Sequence, residues 1–203
     1  MATPVYIAVE GVIGVGKTTL ARLLQPEFEA HLALEEFEEN PFLRPFYRDP
    51  VAYAFKSQIW FMLNRYEQQK RLIQPLLGKQ NIVGDSTFAK NYIFARVTLQ
   101  GDEFDLYRHV HGILADKTSA PDLVVLLTAD TPCLLERIAR RGRGYESTIT
   151  ADYLDRLRAA YDDFFLDHPG VPVLEIDTNH LNPLDQETHR REVIERVHVA
   201  LGR

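Results

Sequence analysis

The chain has 203 residues, 45% hydrophobic and 26% charged, which is ordinary for a globular protein and enough for one well-buried domain or at most two small ones. A net charge of −6 and a pI near 5.6 argue against general affinity for DNA or RNA, which needs a basic face. A lone cysteine, Cys133, excludes an internal disulfide framework, no apolar run approaches membrane-spanning length, and the N-terminus lacks a secretory pattern, so a cytoplasmic location is expected.

The first predicted strand is Val5–Val9, followed by Gly11-Val-Ile-Gly-Val-Gly-Lys17-Thr18, which fits G-x-x-x-x-G-K-[ST]. A helical pattern, Thr18–Gln25, comes next, with Pro26 ending or kinking it. Strand, glycine loop and helix together are the context a phosphate-binding loop requires. Glycines let successive backbone N–H groups turn toward phosphate oxygens, and the helix N-terminus favours the anion. Gly11, Gly14, Val15, Gly16, Lys17, Thr18 and Thr19 are therefore expected on a nucleoside triphosphate, with Lys17 reaching the β and γ phosphates and Thr18 offering its hydroxyl to Mg²⁺.

Further strands are expected near Leu32–Glu35, Ile82–Asp85, Leu123–Thr128 and Val173–Ile176. Helices are expected within Val51–Leu77, with Gly78 in the C′ position, and over Phe88–Leu99, Glu103–Lys117, Thr131–Arg141, Ala151–Asp167 and Gln186–Leu201. Asp102 and Thr131 look like N-caps, the latter with Pro132 at the first helical position. Strands that alternate with helices and read as near-continuous apolar runs predict an α/β fold: a five-stranded parallel sheet, doubly wound, in one domain spanning residues 1–203.

In such a sheet the ligand lies beyond the carboxyl ends of the strands, which directs attention to the residues just after each strand. Leu34-Glu-Glu-Phe-Glu-Glu-Asn-Pro41 follows the second strand and Asp85-Ser-Thr87 the third, so carboxylates gather beside the expected γ-phosphate. A carboxylate there can take a hydroxyl proton during phosphoryl transfer, although an acidic run can also be a solvated loop. Arg137, Arg140, Arg141 and Arg143 form a basic cluster flanked by Gly142 and Gly144. It suits a lid over phosphates at about residues 141–150, or simply a helix C-terminus whose dipole favours cations. On the long helix Gln58 and Arg65 share a face among aromatics, as a nucleobase edge would need and as many amphipathic helices also show.

Taken together, Glu10-Gly-Val-Ile-Gly-Val-Gly-Lys-Thr-Thr19, Glu35-Glu-Phe-Glu-Glu-Asn-Pro-Phe-Leu43 with Phe46-Tyr47, Phe55-Lys-Ser-Gln58, and Arg141-Gly-Arg143 followed by Glu146 resemble the deoxynucleoside kinases, most closely the bacterial deoxyguanosine/deoxyadenosine kinase branch. The resemblance runs from about Val5 to Phe165. It implies a P-loop kinase fold with an arginine-rich lid, and it implies roles. Glu35 matches the general base on the sugar 5′-hydroxyl, Tyr47 and Glu146 the pair holding the 3′-hydroxyl, Gln58 the glutamine on the base edge, and Arg65 the arginine further along that helix. Arg137, Arg141 and Arg143 match lid arginines around the donor phosphates.

One departure stands out. Many family members carry an acid followed by arginine after the third strand, and here the pair is Asp85-Ser86. Asp85 can still bind the 5′-hydroxyl, or Mg²⁺ through water; the missing guanidinium is replaced by another cation or done without. Lys90-Asn91 with Ile93-Phe94-Ala95 resembles the deoxyguanosine-preferring subgroup. The resemblance thus implies an ATP- and Mg²⁺-dependent kinase of purine deoxynucleosides, deoxyguanosine before deoxyadenosine, acting as a homodimer. The alternatives are a thymidylate or other nucleoside-monophosphate kinase, and a P-loop ATPase acting on a partner; the Asn-Lys-x-Asp motif of a GTPase is absent.

Overall fold

A computed structural model describes residues 3–167, 170–180 and 186–202. Five parallel strands form one sheet in the order β2-β3-β1-β4-β5: β1 Tyr6–Gly11, β2 His31–Ala33, β3 Ile82–Gly84, β4 Leu123–Thr128 and β5 Val173–Asp177. The three central strands are buried almost throughout, while β2 and β5 at the edges are partly exposed. Alternation along β1 divides the core. Ile7 and Val9 pack on Leu20 and Leu24 of α1 (Lys17–Glu27), whereas Tyr6 and Ala8 face Ile73 on the other side.

Pro26 lies inside α1, which ends one residue later at Glu27, with the Phe28 N–H closing on the Leu24 carbonyl at 3.1 Å. A short helix that periodicity could not reveal, α2 (Leu43–Arg48), leads into the long α3 (Pro50–Gln68), which Asp49 caps through the Ala52 N–H. A π turn over Gln69–Ile73 joins α3 to α4 (Gln74–Leu76). Its cause is Pro75, which has no N–H for the carbonyl four residues earlier, so the turn widens instead of breaking. Gly78 follows at φ +70°. Helices α5 (Lys90–Thr98) and α6 (Gly101–Ala115) pack with α3 around Met62, Phe88 and Tyr107; α7 (Thr131–Arg141), α8 (Ala151–Asp162, continued by a π turn over Asp163–Asp167) and α9 (Glu187–Ala200) complete the cover.

Two expected caps are corrected. α6 starts from Gln100, with Asp102 inside the first turn, where its charge suits the helix dipole. α7 starts from Asp130, so Thr131 and Pro132 are its first two residues. The Thr131 hydroxyl is drawn into a tertiary contact instead, donating to Asp155 and accepting from Arg158 at 3.1 Å. Among the described residues, no helix is long and apolar enough to cross a membrane.

Candidate active site

The carboxyl ends of β1, β2 and β3 open into a cleft of about 820 Å³. Its wall includes Gly14, Val15, Gly16, Lys17, Thr18 and Thr19 from the glycine loop, Glu35, Tyr47, Gln58, Arg65 and Asp85 opposite, and Arg137, Arg141, Arg143 and Glu146 from the α7 side. Of the residues expected to bind the triphosphate, the acceptor or the metal, only Gly11 stands behind the wall, where its carbonyl holds Lys17.

The loop's shape depends on two glycines. Gly11 has φ +137°, and a Cβ there would lie 2.3 Å from the Leu127 carbonyl oxygen, because β1 and β4 pair Gly11 with Leu127. Gly14 has φ +88°, and a Cβ would meet Ile138 of α7 at 2.9 Å. Lys17 folds back over this loop, its Nζ donating to the carbonyls of Gly11 at 2.8 Å and Val12 at 3.0 Å. Burial first, then repulsion from Lys90, pull the Lys17 ammonium down from its ordinary 10.5 to about 7, although Glu10, Glu35 and Asp85 oppose this.

Asp85 joins the loop to the acidic segment. Its Oδ2 accepts from the Thr18 hydroxyl at 2.5 Å and its Oδ1 from the Glu35 backbone N–H at 2.8 Å. The parallel pairing of β2 with β3 makes this possible, since it sets the two strand ends side by side. Glu35 is in turn held on both carboxylate oxygens: Arg65 Nη2 donates to Oε1, and Lys90 Nζ to Oε2 at 2.6 Å. Burial alone would push the Glu35 carboxyl up; Arg65 and Lys90, with Lys17 behind them, outweigh it and hold it at about 2. Arg65 Nη1 also donates to Asn91 Oδ1. Behind the loop, Glu10 at the end of β1 accepts from the Thr87 N–H at 2.6 Å, the Thr87 hydroxyl at 2.8 Å and Tyr161 at 3.1 Å.

The wall expected to take the acceptor is quieter. Gln58 is 3% exposed. Asn40, of the Asn-Pro pair, is buried; its amide donates to Ser57 Oγ at 3.1 Å, and its Oδ1 accepts from the Phe42 N–H at 2.9 Å, which fixes the acidic segment against α3. Burial raises the Tyr47 hydroxyl well above its ordinary pKa, with Tyr153 and Glu146 adding to the shift, so it faces the cleft as a neutral donor.

The expected lid arginines take two different positions. Arg141 and Arg143 both turn to Glu146: Arg141 Nη2 donates at 2.6 Å and Arg143 Nη1 at 3.5 Å. Arg143 also lies over the Phe37 ring at 4.3 Å. Arg137 spends its donors on Thr178 Oγ1 and O, both at 2.8 Å, and on the Val15 carbonyl at 3.3 Å, tying α7 to the glycine loop and to the end of β5. Sequence reasoning did not place Lys90 in the cleft wall, where the structure puts it. Lys90 carries a usable signal only once the register of α5 is known, because it then falls next to the end of β3.

A parallel sheet whose first strand runs through a glycine loop into a helix, facing carboxylates and arginines across one cleft, defines a P-loop kinase. Comparison with known proteins narrows the class. The deoxynucleoside kinase family model matches residues 7–201. The chain is 36% identical over 163 residues to deoxyguanosine kinase from Bacillus subtilis, covering 80% of this chain and 79% of that one. It is 33% identical over 178 residues to deoxyadenosine kinase from Dictyostelium discoideum, covering 85% and 71%. Among solved structures, deoxyadenosine kinase from M. mycoides superposes with a TM-score of 0.83 at 24% identity, covering 96% of this chain and 99% of that one. The chain belongs to the deoxynucleoside kinase family and is a phosphotransferase acting on deoxynucleosides.

Proposed function

We propose that the chain is an ATP-dependent 5′-kinase of purine deoxynucleosides, deoxyguanosine before deoxyadenosine, serving nucleotide salvage. The observation that carries this reading is the Glu35 carboxylate, anchored on both oxygens and facing the same cleft as the phosphate loop. The triphosphate lies on Gly14–Thr19, with Lys17 leaving its two carbonyls for the β and γ phosphates. Tyr47 and Glu146 hold the 3′-hydroxyl, and Gln58 pairs with the base edge. Glu35 receives the 5′-hydroxyl proton as the oxygen attacks in line, while Arg141 and Arg143 turn from Glu146 to the moving phosphoryl group.

A carboxylate and a hydroxyl oxygen are the hard donors that Mg²⁺ prefers, and Thr18 Oγ1 and Asp85 Oδ2 already lie 2.5 Å apart. These two would hold the ion, which would supply positive charge to neutralise the donor phosphates.

Support for deoxyguanosine comes from Lys90-Asn91 with Ile93-Phe94-Ala95, which resembles the deoxyguanosine-preferring subgroup, and from the 36% identity to a deoxyguanosine kinase. Leu63 on α3 (50% exposed) and Leu106 and Ile113 on α6 (55% and 49%) are exposed apolar side chains on two helices that touch, which supports a homodimer that light scattering tests.

One assay decides the main reading: ATP consumption without acceptor, with each deoxynucleoside, and with dTMP. Phosphorylation of deoxyguanosine, and about 10²–10⁴-fold slower turnover in folded Glu35→Gln, is expected. Turnover on dTMP alone, or equal hydrolysis without acceptor, refutes it.

A further inference from the structure

We infer that Lys90 is a positioning cation of the reaction centre, which fixes the Glu35 carboxylate jointly with Arg65. The inference rests on the reading of Glu35 as the group that receives the 5′-hydroxyl proton.

Lys90 is 5% exposed, and burying an ammonium costs several kcal/mol unless it is paired. Its ion-pair partner is Glu35, 2.6 Å away on the oxygen that Arg65 leaves free. Helix stability does not account for the residue. Lys90 is the first residue of α5, at the positive end of the helix dipole, where a cation is disfavoured. Packing does not require the charge either, because the neighbouring Phe94 ring, 5.7 Å away, would accept a methionine of similar length. What the charge does is face the cleft. It reaches Glu35 on the segment after β2, and it is close enough to Lys17 of the glycine loop to repel it. The other charged groups around this point are Arg65 on α3, Asp85 after β3 and Glu10 at the end of β1.

With two cations the carboxylate cannot rotate: Arg65 fixes one oxygen and Lys90 the other, which leaves the remaining lone pairs directed at the cleft. Without Lys90, only Arg65 and Lys17 oppose the effect of burial, and the carboxyl takes up a proton at higher pH.

The test is the pH dependence of kcat for wild type, Lys90→Met and Lys90→Arg, with saturating ATP and deoxyguanosine. Wild type is expected to stay level from about pH 8 down to about pH 5, since Glu35 remains ionised throughout. K90M is expected to lose about 10–100-fold at neutral pH and to acquire an acid limb within that range. K90R, which keeps the charge, should stay level and recover most of the loss. A uniform loss in K90M with no acid limb overturns the inference, as does K90R falling as far as K90M. Thermal unfolding monitors the fold; if K90M does not fold, K90R decides alone, and its collapse to below about a hundredth of wild-type kcat overturns the inference. A wild type that phosphorylates no deoxynucleoside would sink the functional reading instead, so the two failures are distinguishable.

Discussion

Replacing Glu35 by glutamine should destabilise the ligand-free protein, and two routes give the size of the effect. Glu35 is 10% exposed, and the Arg65 and Lys90 side chains that converge on it are each 6% exposed. Removing the shared partner leaves two buried cations uncompensated, which typically costs about 3–5 kcal/mol. The second route is proton linkage. The folded carboxyl sits at about 2 against an ordinary 4.5, and each unit of difference is about 1.4 kcal/mol, so ionised Glu35 contributes on the order of 3 kcal/mol. The folded value is depressed, so this contribution is complete above about pH 4.5 and is lost as pH falls toward 2. For a chain of this size, about 3 kcal/mol is about 6–12 °C in Tm. Urea unfolding of wild type, Glu35→Gln, Lys90→Met and the double variant at pH 7 measures it. Lys90→Met should destabilise wild type and stabilise the Glu35→Gln background, because there it removes an unpaired buried charge; that change of sign is a coupling of at least about 1 kcal/mol. Glu35→Gln lying within about 1 kcal/mol of wild type, or Lys90→Met having one effect in both backgrounds, refutes the triad.

Three further outcomes are expected. Gly11→Ala must push the Leu127 carbonyl away from a Cβ only 2.3 Å distant, and should cost more than about 3 kcal/mol by denaturant titration, whereas Gly16→Ala, with nothing within 4 Å, should cost only the about 1–2 kcal/mol of its backbone conformation. Thr150 caps α8 by accepting from the Tyr153 N–H at 3.2 Å, so Thr150→Ala should lower stability by about 1 kcal/mol and leave KM values unchanged. At pH 8 the buried Lys17, with a pKa of about 7, is mostly neutral; phosphates restore its charge, so ATP binding should take up about one proton, read from calorimetry in buffers of different ionisation enthalpy, and zero uptake contradicts the assignment.

Much of this architecture was legible from runs whose physics is local. Leu123–Thr128 is a continuous apolar stretch, which only a strand buried on both faces tolerates, and its predicted bounds match the structure. The same holds for Thr131–Arg141, where Pro132 marks the start and Gly142, at φ +71°, the end. The meeting of Asp85 with the Glu35 segment was also readable, because both follow parallel strands. What escaped depended on tertiary partners or on short range. Thr131 resembled an N-cap until Asp155 and Arg158 claimed its hydroxyl. The six residues of α2 are too few for a period to register. Lys90 stood out only as part of the Lys90-Asn91 subgroup resemblance; its pairing with Glu35 escaped, since nothing local announces a partner 55 residues away.

The placement of Lys90 and Arg65 bears on the kind of base Glu35 can be. A carboxylate held at about 2 has little affinity for a proton and cannot strip a resting alcohol. Phosphoryl transfer does not demand that: its transition state is loose, bond formation to the attacking oxygen lags, and the hydroxyl becomes acidic only once the phosphoryl group has largely left its donor. A weak, immobile acceptor is then better suited than a strong one. It orients the hydroxyl from the start, stays ionised across the working pH range, and takes the proton only when the oxygen has become cationic. On the proposed role of Glu35, the same two cations that weaken the base would also set positive charge near the phosphoryl group, so one arrangement would serve acceptor orientation and charge stabilisation together.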